Sequence, residues 1–229
     1  MSINRVETID DRVPVRTVLA SVSEKTGLEP LLKGLLSANP RLQILSTGGT
    51  YSAIASLLGE GASRSLRRVS DYTGQPEMQG GLVKTLDFRI YLGLLSESHN
   101  PAHRADLERT GSFTIDMVVS NLYPFAQTAA LAGSSFEDAR GNIDIGGPCM
   151  VRAAAKNFHR VAVLTDPADY GKVVEEIAAA GGSLCLDTRF RLAQKAFRMI
   201  AAYDAAIIEY LSARSVSAMR ATYAIRAGD

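Results

Sequence analysis

Residues 115–125 read IDMVVSNLYPF, and their apolar stretch does not alternate with polar residues. Successive side chains of a strand point to opposite faces. A strand with one wet face therefore alternates, whereas an unbroken apolar run implies burial on both faces, as in a parallel sheet covered by helices. Residues 15–23 (VRTVLASVS), 42–47 (LQILST) and 160–166 (RVAVLTD) fit the same sheet. Between them lie stripes of helical period, Leu28, Leu31, Leu32, Leu35 and Leu36 after the first strand and Ile54, Leu57 and Leu58 after the second. The alternation predicts an α/β domain of three layers, a mostly parallel central sheet with helices on both faces.

Further elements follow from local chemistry. RRVSDY (67–72) reads as a strand, and another is expected near 88–95, inside GGLVKTLDFRIYLGLL (80–95). SSFEDA (134–139) offers capping serines followed by acids. Pro148 stands near a helix start in GGPCMVRAAAKNF (146–158), where its missing N–H costs little. Asp166 and Pro167 begin a helix to about residue 180, and Leu192, Phe197, Ile200, Ile207 and Leu211 mark a long one over about 187–213. The expected layout is a polar tail over 1–13, one domain over 14–213 and a short tail over 214–229.

The net charge of +1 gives no general basis for nucleic-acid binding. No apolar run reaches 18 residues, so no membrane helix is expected, and the charged start MSINRVETIDDR is no secretory signal. Cys149 and Cys185 form no metal or redox motif, which fits a reducing cytoplasm. His99 and His103 are four apart with Pro101 between them, a spacing that reads as a surface pair, and no metal site is expected.

In parallel α/β sheets ligands bind beyond the carboxyl ends of the strands. Four polar segments fall there. SVSEKTG (21–27) offers Ser21, Ser23, Lys25 and Thr26 before a helix, and STGGT (46–50) offers Ser46, Gly48, Gly49 and Thr50. Hydroxyls, backbone N–H groups and a helix N-terminus suit a phosphate; each loop alone reads more readily as a plain strand-to-helix turn, and the two in succession bring the phosphate reading level with it. NLYPF (121–125) adds Asn121 and Tyr123. NIDIGGPCMVRAAAKN (142–157) adds Asp144 before a glycine pair, and Lys156 further along the helix. Backbone N–H groups at that helix start could hold an oxyanion, and Asp144 could instead be a helix-capping acid. Lys84 poses a separate problem: if 82–94 is extended, it is the only charge on a face with Leu82, Leu86, Phe88, Ile90, Leu92 and Leu94. A buried ammonium is costly, so it either precedes the strand and snorkels to water or does chemistry.

In this order, the segments SVSEKTG, LSTGGT, VSDYTGQPEMQGGLVKTL, DMVVSNLYPFAQT, NIDIGGPCMVRAAAKN and RVAVLTDPADY resemble the inosine monophosphate (IMP) cyclohydrolase domain of the bifunctional purine-biosynthesis enzyme, a member of the methylglyoxal-synthase-like group. The resemblance covers residues 21–170 and implies ring closure of 5-formamidoimidazole-4-carboxamide ribonucleotide to IMP. It implies a purine-pathway ribonucleotide as partner, a homodimer, and no metal or redox cofactor. The formyltransferase domain is expected to be absent. Ser21, Ser23, Lys25, Thr26, Ser46, Gly48, Gly49 and Thr50 would bind the ribose phosphate, and Thr85, Asn121, Ile145, Gly146 and Gly147 would complete the substrate pocket. Lys84 would be a catalytic lysine and Tyr123 its proton-relay partner. Asp144 would polarise the attacking carboxamide, and Lys156 would support the developing charge.

The family's usual motif reads roughly GGRVKTLHPxxHxG, followed later by AAAKNH. Here Leu82 stands for the arginine, Asp87 and Tyr91 for two histidines, Phe88 for the proline and Phe158 for the last histidine. A leucine cannot make the forked contacts of arginine, and neither tyrosine nor aspartate titrates like imidazole near neutrality. Catalysis and nucleotide binding without turnover therefore both remain open, as does an interaction role for the long C-terminal helix. Methylglyoxal synthase activity matches the segments less well.

Overall fold

The computed structural model describes residues 5–76 and 84–226. Strand β1 (Arg12–Pro14) is short and is followed by β2 (Thr17–Val22), helix α1 (Leu28–Ala38), β3 (Gln43–Ser46) and α2 (Gly48–Leu58). Next come α3 (Ala62–Ser65), β4 (Leu66–Arg68), α4 (Val69–Thr73), α5 (Phe88–Leu95) and α6 (Pro101–Thr110). The second half holds β5 (Met117–Asn121), α7 (Phe125–Ala130), α8 (Phe136–Gly141), α9 (Gly146–Lys156) and β6 (Ala162–Leu164). It ends with α10 (Tyr170–Ala179), β7 (Ser183–Cys185), α11 (Leu186–Ser212) and α12 (Val216–Arg220).

Five strands form a parallel sheet in the order β4-β3-β2-β5-β6. The central strands are covered on both sides. Val18 and Ala20 of β2 and Met117 and Val119 of β5 join one core with α1, α2 and α10, while Leu19 and Val118 join the other with α4, α5, α9 and α11. Two-sided burial explains the unbroken apolar run, because Met117, Val118 and Val119 meet helix layers on alternate faces. Among the described residues no helix is long and apolar enough to cross a membrane.

Several elements differ from the sequence-based expectation. Residues 88–95 form a helix, not a strand. Asp87 caps it, its Oδ1 accepting the Arg89 N–H at 2.8 Å, and Ile90 and Leu94, four apart, are fully buried while Phe88 is 63% exposed. An eight-residue apolar alternation therefore coincided with a helical face. In RRVSDY the strand stops at Arg68, and the rest is α4, closed by Gly74 at φ 75. The expected polar tail ends in β1, which pairs antiparallel with β7 from Arg12↔Cys185 to Pro14↔Ser183. Helix α6, capped by Asn100, was not foreseen. Ser135 forms the expected cap, a reciprocal box with Asp138. Leu82 lies outside the described residues.

The amino-terminal end of the sheet is closed by a buried ion pair. Arg160 Nη1 donates to Asp116 Oδ1 at 2.9 Å, and its other N–H groups reach the carbonyls of Gly93, Ser96 and Ile115. Asp116 Oδ2 accepts the N–H groups of Arg16 and Thr17. Burial pushes the Asp116 carboxyl up, and the Arg160 guanidinium opposes that shift. Every strong polar atom of the pair has a partner, which is the condition for burying charge.

Candidate functional site

The carboxyl ends of β2, β3 and β5 open into a cleft of about 290 Å³, near the lower bound of roughly 300 Å³ for small-molecule sites. Its walls come from the β2–α1 loop, the start of α2, Lys84 and Thr85, the end of β5, and the loop leading into α9.

The β2–α1 loop is held by Asn121. Its Oδ1 accepts the N–H groups of Ser23 and Glu24 at 2.6 and 3.0 Å, and its Nδ2 donates to the Glu24 carbonyl at 2.7 Å. Asn121 is thus consumed as a clamp, although it lines the cleft. Thr50 acts similarly from the other side: its hydroxyl accepts the Val22 N–H and donates to the Val22 carbonyl. Ser46, expected among the phosphate ligands, is fully buried and donates to the Ala20 carbonyl at 2.8 Å, so it braces the sheet and does not line the cleft. Thr26 also points elsewhere, bonding Glu24. Ser21, Ser23, Lys25 and Gly49 do face the cleft, with the Lys25 ammonium donating to the Ser23 carbonyl at 3.0 Å.

Lys84 precedes α5 rather than sitting on a strand, and its ammonium reaches across to the start of α2. A Cβ placed on Gly48 would lie 2.9 Å from Lys84 Nζ, so the glycine leaves room for that approach. Lys84 forms no ion pair with any described residue. It also borders a neighbouring hollow of about 220 Å³ beside Ser70 and Asp87. Thr85 is buried beneath Gly146.

Asp144 faces Lys84 and Thr85 around the cleft, from the loop before α9. Its Oδ1 accepts the Gly147 N–H at 2.8 Å, and its Oδ2 lies 3.4 Å from the Tyr123 N–H. The carboxylate thereby caps α9 and faces Tyr123, so the capping and chemical readings of Asp144 are compatible. Gly147 is required here: an added Cβ would lie 2.6 Å from Asp144 Oδ2 and 2.7 Å from Leu122 Cδ2. Gly146 and the exposed Ile145 complete that wall. Tyr123 is 41% exposed and lines the cleft.

Lys156 is not brought to this cleft. It is the last residue of α9, exposed, about 15 Å along the axis from Gly146 at 1.5 Å per residue. Of the positions that depart from the family motif, Asp87, Tyr91 and Phe158 also lie off the cleft lining. Asp87 caps α5, Tyr91 packs against the core, and Phe158 packs on His159 and Phe190. The histidines of the expected surface pair part company: His99 bonds Asp10 and His103 lies beside Glu97.

Two residues were missed. Ser120, in β5, lines the cleft with 1% exposure, and its hydroxyl has no hydrogen-bond partner among the described residues. A buried hydroxyl without a partner beside a cleft calls for an explanation, and a bound ligand would supply one. The only sequence signal was a serine interrupting MVVSN. The other is Tyr203, on α11, whose hydroxyl accepts the Asp144 N–H at 2.8 Å and donates to the Asn142 carbonyl at 3.1 Å.

Comparison with known proteins shows the family and the fold. Residues 27–149 match the family model described as MGS-like domain, and residues 154–228 match that of the AICARFT/IMPCHase bienzyme. The chain is 49% identical over 198 residues to the bifunctional purine biosynthesis protein PurH of Synechococcus sp. (strain WH7803), and 46% identical over 198 residues to the PurH protein of Chlorobium phaeovibrioides. Each match covers 86% of this chain and 36% of the relative's length. Among solved structures, the crystal structure of ForH is similar with a TM-score of 0.69 and 35% identity, over 86% of this chain and 98% of that one.

Proposed function

The chain belongs to the MGS-like domain family, and from that premise we propose that it is an IMP cyclohydrolase, closing 5-formamidoimidazole-4-carboxamide ribonucleotide to IMP. The carboxamide nitrogen attacks the formyl carbon and a C–N bond forms. The formyl oxygen leaves as water, taking one proton from the attacking nitrogen and one from the formamido nitrogen. No electron changes hands. The reaction needs two groups of one molecule held together and protons moved between them.

The observation that carries this reading is convergence. Lys84, Tyr123 and Asp144 come from three separate segments and line one cleft with the two hydroxyl-bearing loops. The loop N–H groups and Lys25 suit the phosphate. In this reading Lys84 stabilises the oxyanion that forms on the formyl group, Asp144 accepts the proton of the attacking nitrogen, and Tyr123 relays a proton to the leaving oxygen. Ser120 offers its vacant hydroxyl to the same ligand. Lys156 has no part in this cleft within one chain.

A cytoplasmic setting fits the two free thiols, and a homodimer fits the exposed Phe190, Phe197, Ile208 and Leu211 along α11. The test is direct: purified chain is mixed with the formamido ribonucleotide and IMP formation is followed by absorbance. IMP appearing well above the uncatalysed rate supports the reading. Tight IMP binding by calorimetry without turnover would instead make the chain a nucleotide-binding module of the same fold.

A further inference from the structure

The loop carrying Asp144 is tied locally at its two ends, where Asn142 and Ile143 donate to carbonyls of α8 and the Ile145 carbonyl accepts the Cys149 N–H, but these bonds leave Asp144 itself to other partners. Residues 142–145 link α8 to α9 with no regular structure, and Asp144 reaches back only to Gly147 and Tyr123. Its outer anchor is Tyr203, fifty-nine residues later, near the middle of the 27-residue helix α11. We propose that Tyr203 is a positioning residue for the cyclisation, fixing the loop before α9 so that the Asp144 carboxylate faces the cleft. This inference rests on the cyclohydrolase reading above.

The geometry supports it in two ways. The Tyr203 hydroxyl is bonded on both sides, receiving from the Asp144 N–H and donating to the Asn142 carbonyl, so it ties two points of the loop to one rigid helix. Burial of the phenol pushes its ionisation up, which keeps the donated proton in place. The ring meets Phe125 edge-on, with centroids 6.2 Å apart and planes at 65°. Phe125 is 1% exposed and lies two residues after Tyr123. One aromatic side chain thus braces the Asp144 loop and the segment bearing Tyr123. Side chains that position a reacting group control rate through small displacements, and a shift of about 1 Å is worth up to 10²-fold.

The experiment compares wild type, Tyr203→Phe and Tyr210→Phe. Tyr210 packs on the same Phe125, at 5.6 Å, and its hydroxyl makes no hydrogen bond among the described residues, so it controls for loss of a phenol from this aromatic cluster. Tyr203→Phe keeps the ring and removes both bonds. Its kcat is expected to fall about tenfold with KM little changed, since the phosphate loops are untouched, and Tyr210→Phe is expected to match wild type. In an Asp144→Asn background, Tyr203→Phe is expected to cost nothing further, because it acts through that carboxylate. Hydrogen exchange at the Asp144 amide, measured without substrate, is expected to accelerate in Tyr203→Phe alone. An active wild type whose Tyr203→Phe variant keeps its kcat, or shows unchanged exchange at Asp144, overturns the positioning role. An inactive wild type overturns the cyclohydrolase reading and the catalytic part of the role with it, while the exchange data still decide whether Tyr203 anchors the loop.

Discussion

The two ends of strand β5 treat polar groups in opposite ways. Beside its start, Asp116 is buried and fully paired with Arg160 and two backbone N–H groups. Near its finish, Ser120 is also buried, yet its hydroxyl has no partner among the described residues, and Lys84 lines the same cleft without an ion pair to any described residue. Only Met117, Val118 and Val119 separate a closed polar network from an open one. Buried polar groups with complete partners hold a structure together, and those without partners are tolerated where a ligand completes them.

Substitutions at the two ends should therefore fail differently. Lys84→Ala is expected to lower kcat between about 10²- and 10⁴-fold and leave the melting temperature nearly unchanged. A normal rate would remove the open end from the chemistry. Arg160→Met leaves Asp116 charged, buried and unpaired. It is expected to lower unfolding free energy in urea by about 3–5 kcal/mol, while the folded fraction keeps its KM. A changed KM with unchanged stability would reverse the roles of the two ends.

Smaller effects sharpen the contrast. Asp87→Ala removes the cap of α5 and is expected to cost about 1 kcal/mol of stability, with kcat within about twofold, because Asp87 lies off the main cleft. A large kcat loss would show that this replaced family position still serves catalysis. Ser120→Ala removes a hydroxyl that has no hydrogen-bond partner among the described residues. Stability is expected to move by less than about 0.5 kcal/mol, while IMP affinity by calorimetry weakens by about two- to tenfold. The opposite pattern would make Ser120 a structural residue.

The closed and open ends were not equally legible in the sequence. Strands β2, β3, β5 and β6 were readable because two-sided burial writes an apolar run into adjacent residues. The cleft loops were readable too, since they follow those strands directly. What failed was local ambiguity: 88–95 alternates like a strand over eight residues, and only the cap at Asp87 and the buried pair Ile90 and Leu94 decide for a helix. The three-residue strands β1 and β7 are too short to carry a period. Ser46, Thr50 and Asn121 have the right chemistry for ligands, but their polar atoms are consumed by backbone partners that no spacing rule reveals. Tyr203 and Arg160 act across 59 and 44 residues, distances at which sequence pattern is silent.

The most direct test of the division between the two ends is a crystal structure of the chain soaked with IMP. The expected result is one nucleotide at the carboxyl end, its phosphate against Ser23, Lys25 and Gly49, its base between Lys84 and Asp144, and the Ser120 hydroxyl newly bonded. A nucleotide seated at the Asp116–Arg160 end, or one at the carboxyl end whose base points away from Lys84 and Asp144, would contradict it.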